Sequence, residues 1–193
     1  MNRSNRSPKA GKIKLLLDSD VIIHFFKADR LFDLTNIFPE YDYVLLDLVW
    51  GIELKNYRIA HSVELLINNG SIQLLEFPTD NDAIDNEFEY LKYEGRGIGE
   101  SACMAYAKYN KEDIVASSNL KDLLPYCKNN HIPFITTIDF LCQAVKKGLY
   151  SETLCDEFIK KVLDKGSKLA IKRMLYYDCS KREVLEEFKN QTF

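Results

Sequence analysis

With 193 residues, 46% of them hydrophobic, the chain holds enough apolar content for one sizeable core and too much for a disordered polypeptide. No apolar run approaches the roughly 20 residues of a membrane span, and residues 1–12 lack the apolar stretch of a signal peptide, so a cytoplasmic protein is expected. The net charge of −3 is unevenly spread: residues 1–12 carry four bases and no acid, residues 165–193 carry seven bases against four acids, and the acidic excess lies between. An acidic body with basic ends suits divalent metal centrally and nucleic acid peripherally, although solvated faces and a polar tail account for the charge taken alone.

Residues 1–11 are polar and basic and predict a disordered tail. Lys12 to Leu17 rise into an apolar run that predicts a first strand. It ends on Asp18-Ser19-Asp20, and Val21 to Lys27 continue as a helix capped by Ser19 or Asp20. A second amphipathic stretch, Leu31 to Phe38, stops at Pro39. Tyr43 to Leu46 predict a second strand, and Trp50 to Asn69 a single helix with Leu54, Val63, Leu65, Leu66 and Ile67 inward and Glu53 near its start. Gly70 ends that helix, and Ile72 to Phe77 form a third strand.

Asp80 to Tyr93 predict an acidic helix leading into the loop Gly95-Arg96-Gly97-Ile98-Gly99, whose glycines ask for backbone close to something. Glu100 then opens a helix of small residues that ends near Lys108 to Lys111. Asp113 to Ala116 read as a buried strand, closed by Ser117, Ser118 and Asn119, which are the residue types that cap the helix expected next. His131 to Thr137 give a further strand, Phe140 to Lys147 a helix stopped by Gly148, and Ser151 to Leu163 a capped helix. Lys168 to Phe193 add one or two more. Strands alternating with helices imply an α/β domain over 12–150, with a mainly parallel sheet of four or five strands covered on both faces, and a C-terminal helical extension over 151–193. The five scattered cysteines form no C-x-x-C pair and are read as reduced packing residues. His24, His61 and His131 have no metal-ligand spacing.

Three acids stand where a strand gives way to a helix or in a helix's first turns: Asp18, Glu53 and Glu100. In a parallel sheet the strand ends share one edge, so Asp18 would face Glu100 across the switch point. Carboxylates gathered there repel, and a hard cation such as Mg²⁺ or Mn²⁺ relieves the repulsion. Each acid also has a structural explanation, because an acid near a helix start caps it or complements its dipole whatever the function.

The ordered segments Leu-Leu-Leu-Asp-Ser-Asp-Val (15–21), Leu-Val-Trp-Gly-Ile-Glu-Leu (48–54), Gly-Ile-Gly-Glu-Ser-Ala (97–102) and Ile-Val-Ala-Ser-Ser-Asn-Leu-Lys-Asp-Leu (114–123) together resemble the PIN-domain family. That resemblance covers about residues 13–150. It implies a three-layer α/β/α fold and a metal-dependent endoribonuclease, many relatives being toxins held by an antitoxin protein. It assigns Asp18, Glu53 and Glu100 as catalytic ligands of Mg²⁺ or Mn²⁺, and places Asn119 at the fourth position. Many relatives carry Asp at Ser118 or Asn119, so Asp20, Ser118 and Asp122 become accessory candidates. RNA is the implied substrate, a second copy of the chain is a candidate partner, and no membrane partner is expected. Two other functions stay open. One is a catalytically degenerate domain that binds RNA or protein. The other is a phosphatase of the haloacid dehalogenase type, whose nucleophile motif Asp18-Ser19-Asp20-Val21 matches but whose late acidic pair does not.

Overall fold

The structure, a computed structural model, describes residues 12–179. The tail over 1–11 and the part of the expected C-terminal helices beyond residue 179 lie outside the described residues. Five short strands, β1 (Lys14–Leu17), β2 (Asp42–Leu46), β3 (Gln73–Leu75), β4 (Ile114–Ala116) and β5 (Phe134–Ile135), form one sheet in the order β3-β2-β1-β4-β5. Every pairing is parallel. The buried runs Leu15-Leu16-Leu17, Val44-Leu45-Leu46 and Ile114-Val115-Ala116 are what strands covered on both faces require, while the edge strand β3 is exposed at Gln73 and Leu74. The chain winds outward from β1 to β3, then returns to place β4 on the other side of β1. The order therefore reverses between β1 and β4, and a crevice forms beyond their C-terminal ends.

One face carries α1 (Ser19–Lys27), α2 (Leu34–Ile37), α7 (Thr137–Lys146) and α8 (Glu152–Asp164). They meet through edge-on aromatic contacts: Phe25 lies 5.6 Å from Phe140 and 4.9 Å from Phe158, and Phe38 lies 5.2 Å from Phe140, centroid to centroid. α4 (Asp82–Tyr93), α5 (Ile98–Tyr109) and α6 (Leu120–Asn130) pack together, with α5 against β1, β2 and β4. From Gly99 to Ala107, α5 is buried all round, which its run of Gly, Ser and Ala permits. The α/β class, the parallel sheet and the helices on both faces agree with expectation. Among the described residues no helix is long and apolar enough to cross a membrane.

The structure corrects several expectations. Asp18, and not Ser19 or Asp20, is the N-cap of α1. The single helix over Trp50–Asn69 is two pieces, a π-helical turn over Val49–Leu54 and α3 over Ala60–Asn68. Its anchors explain the break. Leu54 and Ile59 are both buried, and five residues of continuous α-helix would set them about 140° apart. Leu65 is turned outward at 44% exposure, while Val63 and Leu66 face in. Residues 168–173 are not helical, and among the described residues a 3₁₀ turn over Met174–Tyr176 is the only helical element after α8. Met174 is the buried residue of that turn, and Leu175 is exposed. Cys142 and Cys179 are joined in a disulfide, so two of the five cysteines are not reduced packing residues; Cys103, Cys127 and Cys155 are buried and free.

Candidate functional site

Asp18 leaves the end of β1 directly into the crevice. Its backbone N–H donates to Ala116 O at 2.9 Å, which ties it to the neighbouring strand β4. Its carboxylate accepts from Ser19 N at 2.7 Å and from the Ser117 hydroxyl. Two residues on, in the first turn of α1, Asp20 accepts from Ser118 N through Oδ2 at 2.7 Å. Glu53 comes from the π-helical turn after β2, and its Oε1 accepts from Gly99 N at 2.8 Å. A Cβ on Gly99 would stand 2.7–2.9 Å from the Glu53 carboxylate, so this is the close approach that the glycine-rich segment serves. Glu100 follows in the first turn of α5.

Asn119 sits at the N-cap position of α6 but makes no side-chain capping bond. Its Nδ2 instead donates to Glu100 Oε2 at 3.2 Å and to Asp122 Oδ2 at 3.0 Å. Asn119 is therefore a bridge between two acids rather than a cap. Ser118 turns its hydroxyl away from the acids, donating to Thr137 Oγ1 at 2.8 Å, while its backbone holds Asp20. Thr137 Oγ1 meets His24 Nδ1 at 2.9 Å, so the buried His24 supports the same corner from behind. Burial first, and then Lys27, lower the His24 pKa to about 4, which leaves the ring neutral at pH 7.

Asp18, Asp20, Glu53 and Glu100 thus occupy one crevice, with Asn119 and Asp122 at its rim. Burial raises the Asp18 pKa to about 6, and the Glu53 charge adds to the shift. Burial raises Glu100 to about 8, with Asp18 and Asp122 adding to the rise and Arg96 and Asn119 opposing it. Asp20 is pushed well up by burial and by Asp18 and Glu100. Cys103, whose Sγ lies 3.9 Å from Leu17 O, is pushed well up by burial, and the charges of Asp18, Glu53, Glu100 and Asp20 add to the rise. Glu100 Oε1 and Asp20 Oδ1 are buried with no hydrogen-bond partner among the described residues. Such atoms are expensive to leave unmatched, by about 1–3 kcal/mol and more when charged.

An all-carboxylate donor set is the chemistry of Mg²⁺ and Mn²⁺, and the two unmatched oxygens suit a cation. Among the described residues, however, no group of three His, Cys, Asp or Glu side chains is gathered tightly enough to hold a metal ion. The reason lies in the hydrogen bonds: Asp18, Asp20 and Glu53 each lean on a backbone N–H, of Ser19, Ser118 and Gly99 respectively. Asp139, the acid after the late strand β5, accepts from Thr136 N, Thr136 Oγ1 and Tyr177 Oη and is fully used in capping α7. The sequence reading missed the structural partners Ser117, Thr137 and His24, whose positions carry no periodic signal. It also passed over Arg96, which lies within the glycine-rich loop it emphasised.

Compared with models of known protein families and with curated proteins, the chain has no match.

Proposed function

We propose that the protein is a metal-dependent endoribonuclease of the PIN-domain type. The observation that carries the proposal is a set of four acids at the switch point of a parallel sheet, two of them with buried oxygens that no donor among the described residues satisfies. The order of the four sequence segments that resemble the family supports it from the other side. A bound Mg²⁺ or Mn²⁺ would offset the carboxylate repulsion and supply an activated water for phosphodiester hydrolysis. Asp18, Glu53 and Glu100 would hold the ion once Asp18 and Glu53 turned from the N–H groups of Ser19 and Gly99 toward it, with Asp20 joining through its unmatched Oδ1. Asn119, already an amide donor between Glu100 and Asp122, would orient a water or a phosphate oxygen at the rim. The resemblance extends the proposal to a toxin neutralised by an antitoxin protein.

The test is cleavage of single-stranded RNA by purified protein with Mn²⁺ or Mg²⁺, repeated in chelator and with the Asp18→Asn variant. Metal-dependent cleavage that the variant loses supports the proposal, and cleavage that persists in both controls defeats it. The second reading, a domain that binds RNA without cutting, is favoured by one feature: an amide, Asn119, stands where a further acid would complete the set. RNA binding without metal-dependent cleavage would select it.

A further inference from the structure

Arg96 lies between α4 and α5, and its guanidinium is fixed from two sides. Its Cζ stands 5.3 Å from the centroid of the Tyr126 ring, and Nη1 donates to Asp122 O at 3.1 Å. Tyr126 is itself held by its hydroxyl, which donates to Glu87 Oε1 at 2.7 Å. The other contact of Nη1 is a weak one, to Met104 Sδ at 3.8 Å. Asp122 and Asn119 connect this arginine to Glu100 by hydrogen bonds, so the cation sits at the mouth of the acidic crevice.

What the guanidinium does not do is more telling. It makes no ion pair with any acid among the described residues, although four carboxylates line the adjacent crevice. Nε and Nη2 have no acceptor among the described residues. An arginine placed only to neutralise Glu100 would pair with it directly. A planar guanidinium, held by stacking and by one nitrogen with its other donors open, has the geometry for receiving two oxygens of an incoming anion.

We propose that Arg96 is the phosphate anchor of this site, taking the non-bridging oxygens of a single-stranded RNA backbone phosphate next to the acidic crevice. The identity of the anion rests on the ribonuclease proposal above. The competing role is a staple between the α4–α5 loop and α6, which would affect folding and nothing else.

Fluorescence anisotropy with a labelled single-stranded RNA separates these, using Ca²⁺ in place of Mg²⁺, RNA integrity checked on a gel, and a series of salt concentrations. Arg96→Ala should weaken binding roughly tenfold, as loss of a charge-assisted contact does. It should also flatten the slope of log K against log salt by about 0.7, the value for one phosphate contact on a single strand. Arg96→Lys should restore the slope and part of the affinity, because the charge returns without the fork. Melting curves of both variants accompany the titrations. An unchanged slope in Arg96→Ala overturns the anchor, even where affinity and melting temperature fall together as a staple would have it. Wild-type protein that shows no salt-dependent RNA binding overturns the ribonuclease proposal and the anchor with it. Salt-dependent wild-type binding with an unaltered Arg96→Ala overturns the anchor alone.

Discussion

At the N-terminal end of the sheet Asp113 is buried to nearly the depth of Asp18 at the other end, 7% against 5% exposed. Asp113 accepts from Lys14 N at 3.0 Å through one oxygen and pairs with Lys14 Nζ at 3.5 Å through the other. Lys14 Nζ in turn donates to Tyr106 Oη at 3.1 Å. Among the described residues Asp18 accepts from Ser19 N and the Ser117 hydroxyl but from no cation, and its charged neighbours share its sign. Arg96, at the mouth of the crevice, makes no ion pair with them among those residues. The same residue type at the same burial is thus matched at one end and left in conflict at the other. A fold has no need of the second arrangement, and local conflict of this kind concentrates at sites that do something. Under the proposed function, the C-terminal edge is the working edge and the N-terminal edge part of the scaffold.

The largest effect that would sharpen this contrast is on catalysis. Asp18→Asn should lower RNA cleavage by about a thousandfold, the scale of removing a principal electrostatic group from an active site. In chelator it should melt no lower than wild type, since it removes a repelling charge. Asp113→Ala should do the reverse. It strands Lys14 N without its acceptor and should lose about 2 kcal/mol, or about 5 °C in melting temperature, with cleavage per folded molecule retained. The ion pair adds little to that figure, because Lys14 is a third exposed and screened by solvent. Swapped results, with Asp18→Asn unfolding and Asp113→Ala inactive, would break the comparison.

Next in size is the dependence on pH. Without metal, native Glu100 holds its proton to about pH 8 and native Asp18 to about pH 6, whereas in the unfolded chain both release it near pH 4. Between those limits the native state binds more protons, so stability falls as pH rises. The slope is at most about 1.4 kcal/mol per pH unit for each group, and the raised Asp20 adds to the fall in the same direction. Thermal melts in chelator across this window should show the decline, and Glu100→Gln should remove its upper part. Mn²⁺ at a hundred times its dissociation constant should return about 2.7 kcal/mol at high pH. Stability that rises through the window, or that ignores Mn²⁺, would mean the acids are matched in a way the hydrogen bonds do not reveal.

Much of the working edge was legible because it is built from local signals. Buried strands show as short apolar runs, and Asp18, Glu53 and Glu100 follow such runs or open helices. What escaped depends on contacts distant in sequence. The Cys142–Cys179 bond joins residues 37 apart, from α7 to a non-helical segment beyond α8. The break after Leu54 turns on the five-residue step to Ile59, and no Pro or Gly between them marks it. Asn119 looked like a cap, and its bond to Glu100 exists only because β4 and α5 are neighbours in space. Arg96 stands among three glycines whose signal concerns the backbone, and its contacts with Tyr126 and Asp122 come from α6, distant in sequence.

The smallest expected change tests how one acid reaches the working edge. Gly99 has no Cβ where the Glu53 carboxylate lies, and a Cβ there would approach Oε1 to 2.7 Å. The obstructing group is the end of a flexible side chain, and alanine favours a helix over glycine by about 1 kcal/mol. Gly99→Ala should therefore change stability by less than about 1 kcal/mol in either direction. Glu53 must move aside and lose its bond from Gly99 N, so cleavage should fall by about tenfold, far more than the melting temperature suggests. Gly97→Ala is the control, since nothing lies within 4 Å of its Cβ position. It should lose about 0.5 kcal/mol as a poorer N-cap and leave cleavage alone. If Gly99→Ala instead keeps full activity, Glu53 serves only to cap α5 from a distance. It would then belong with Asp113 among the matched acids of the scaffold, and the working edge would consist of Asp18, Asp20 and Glu100.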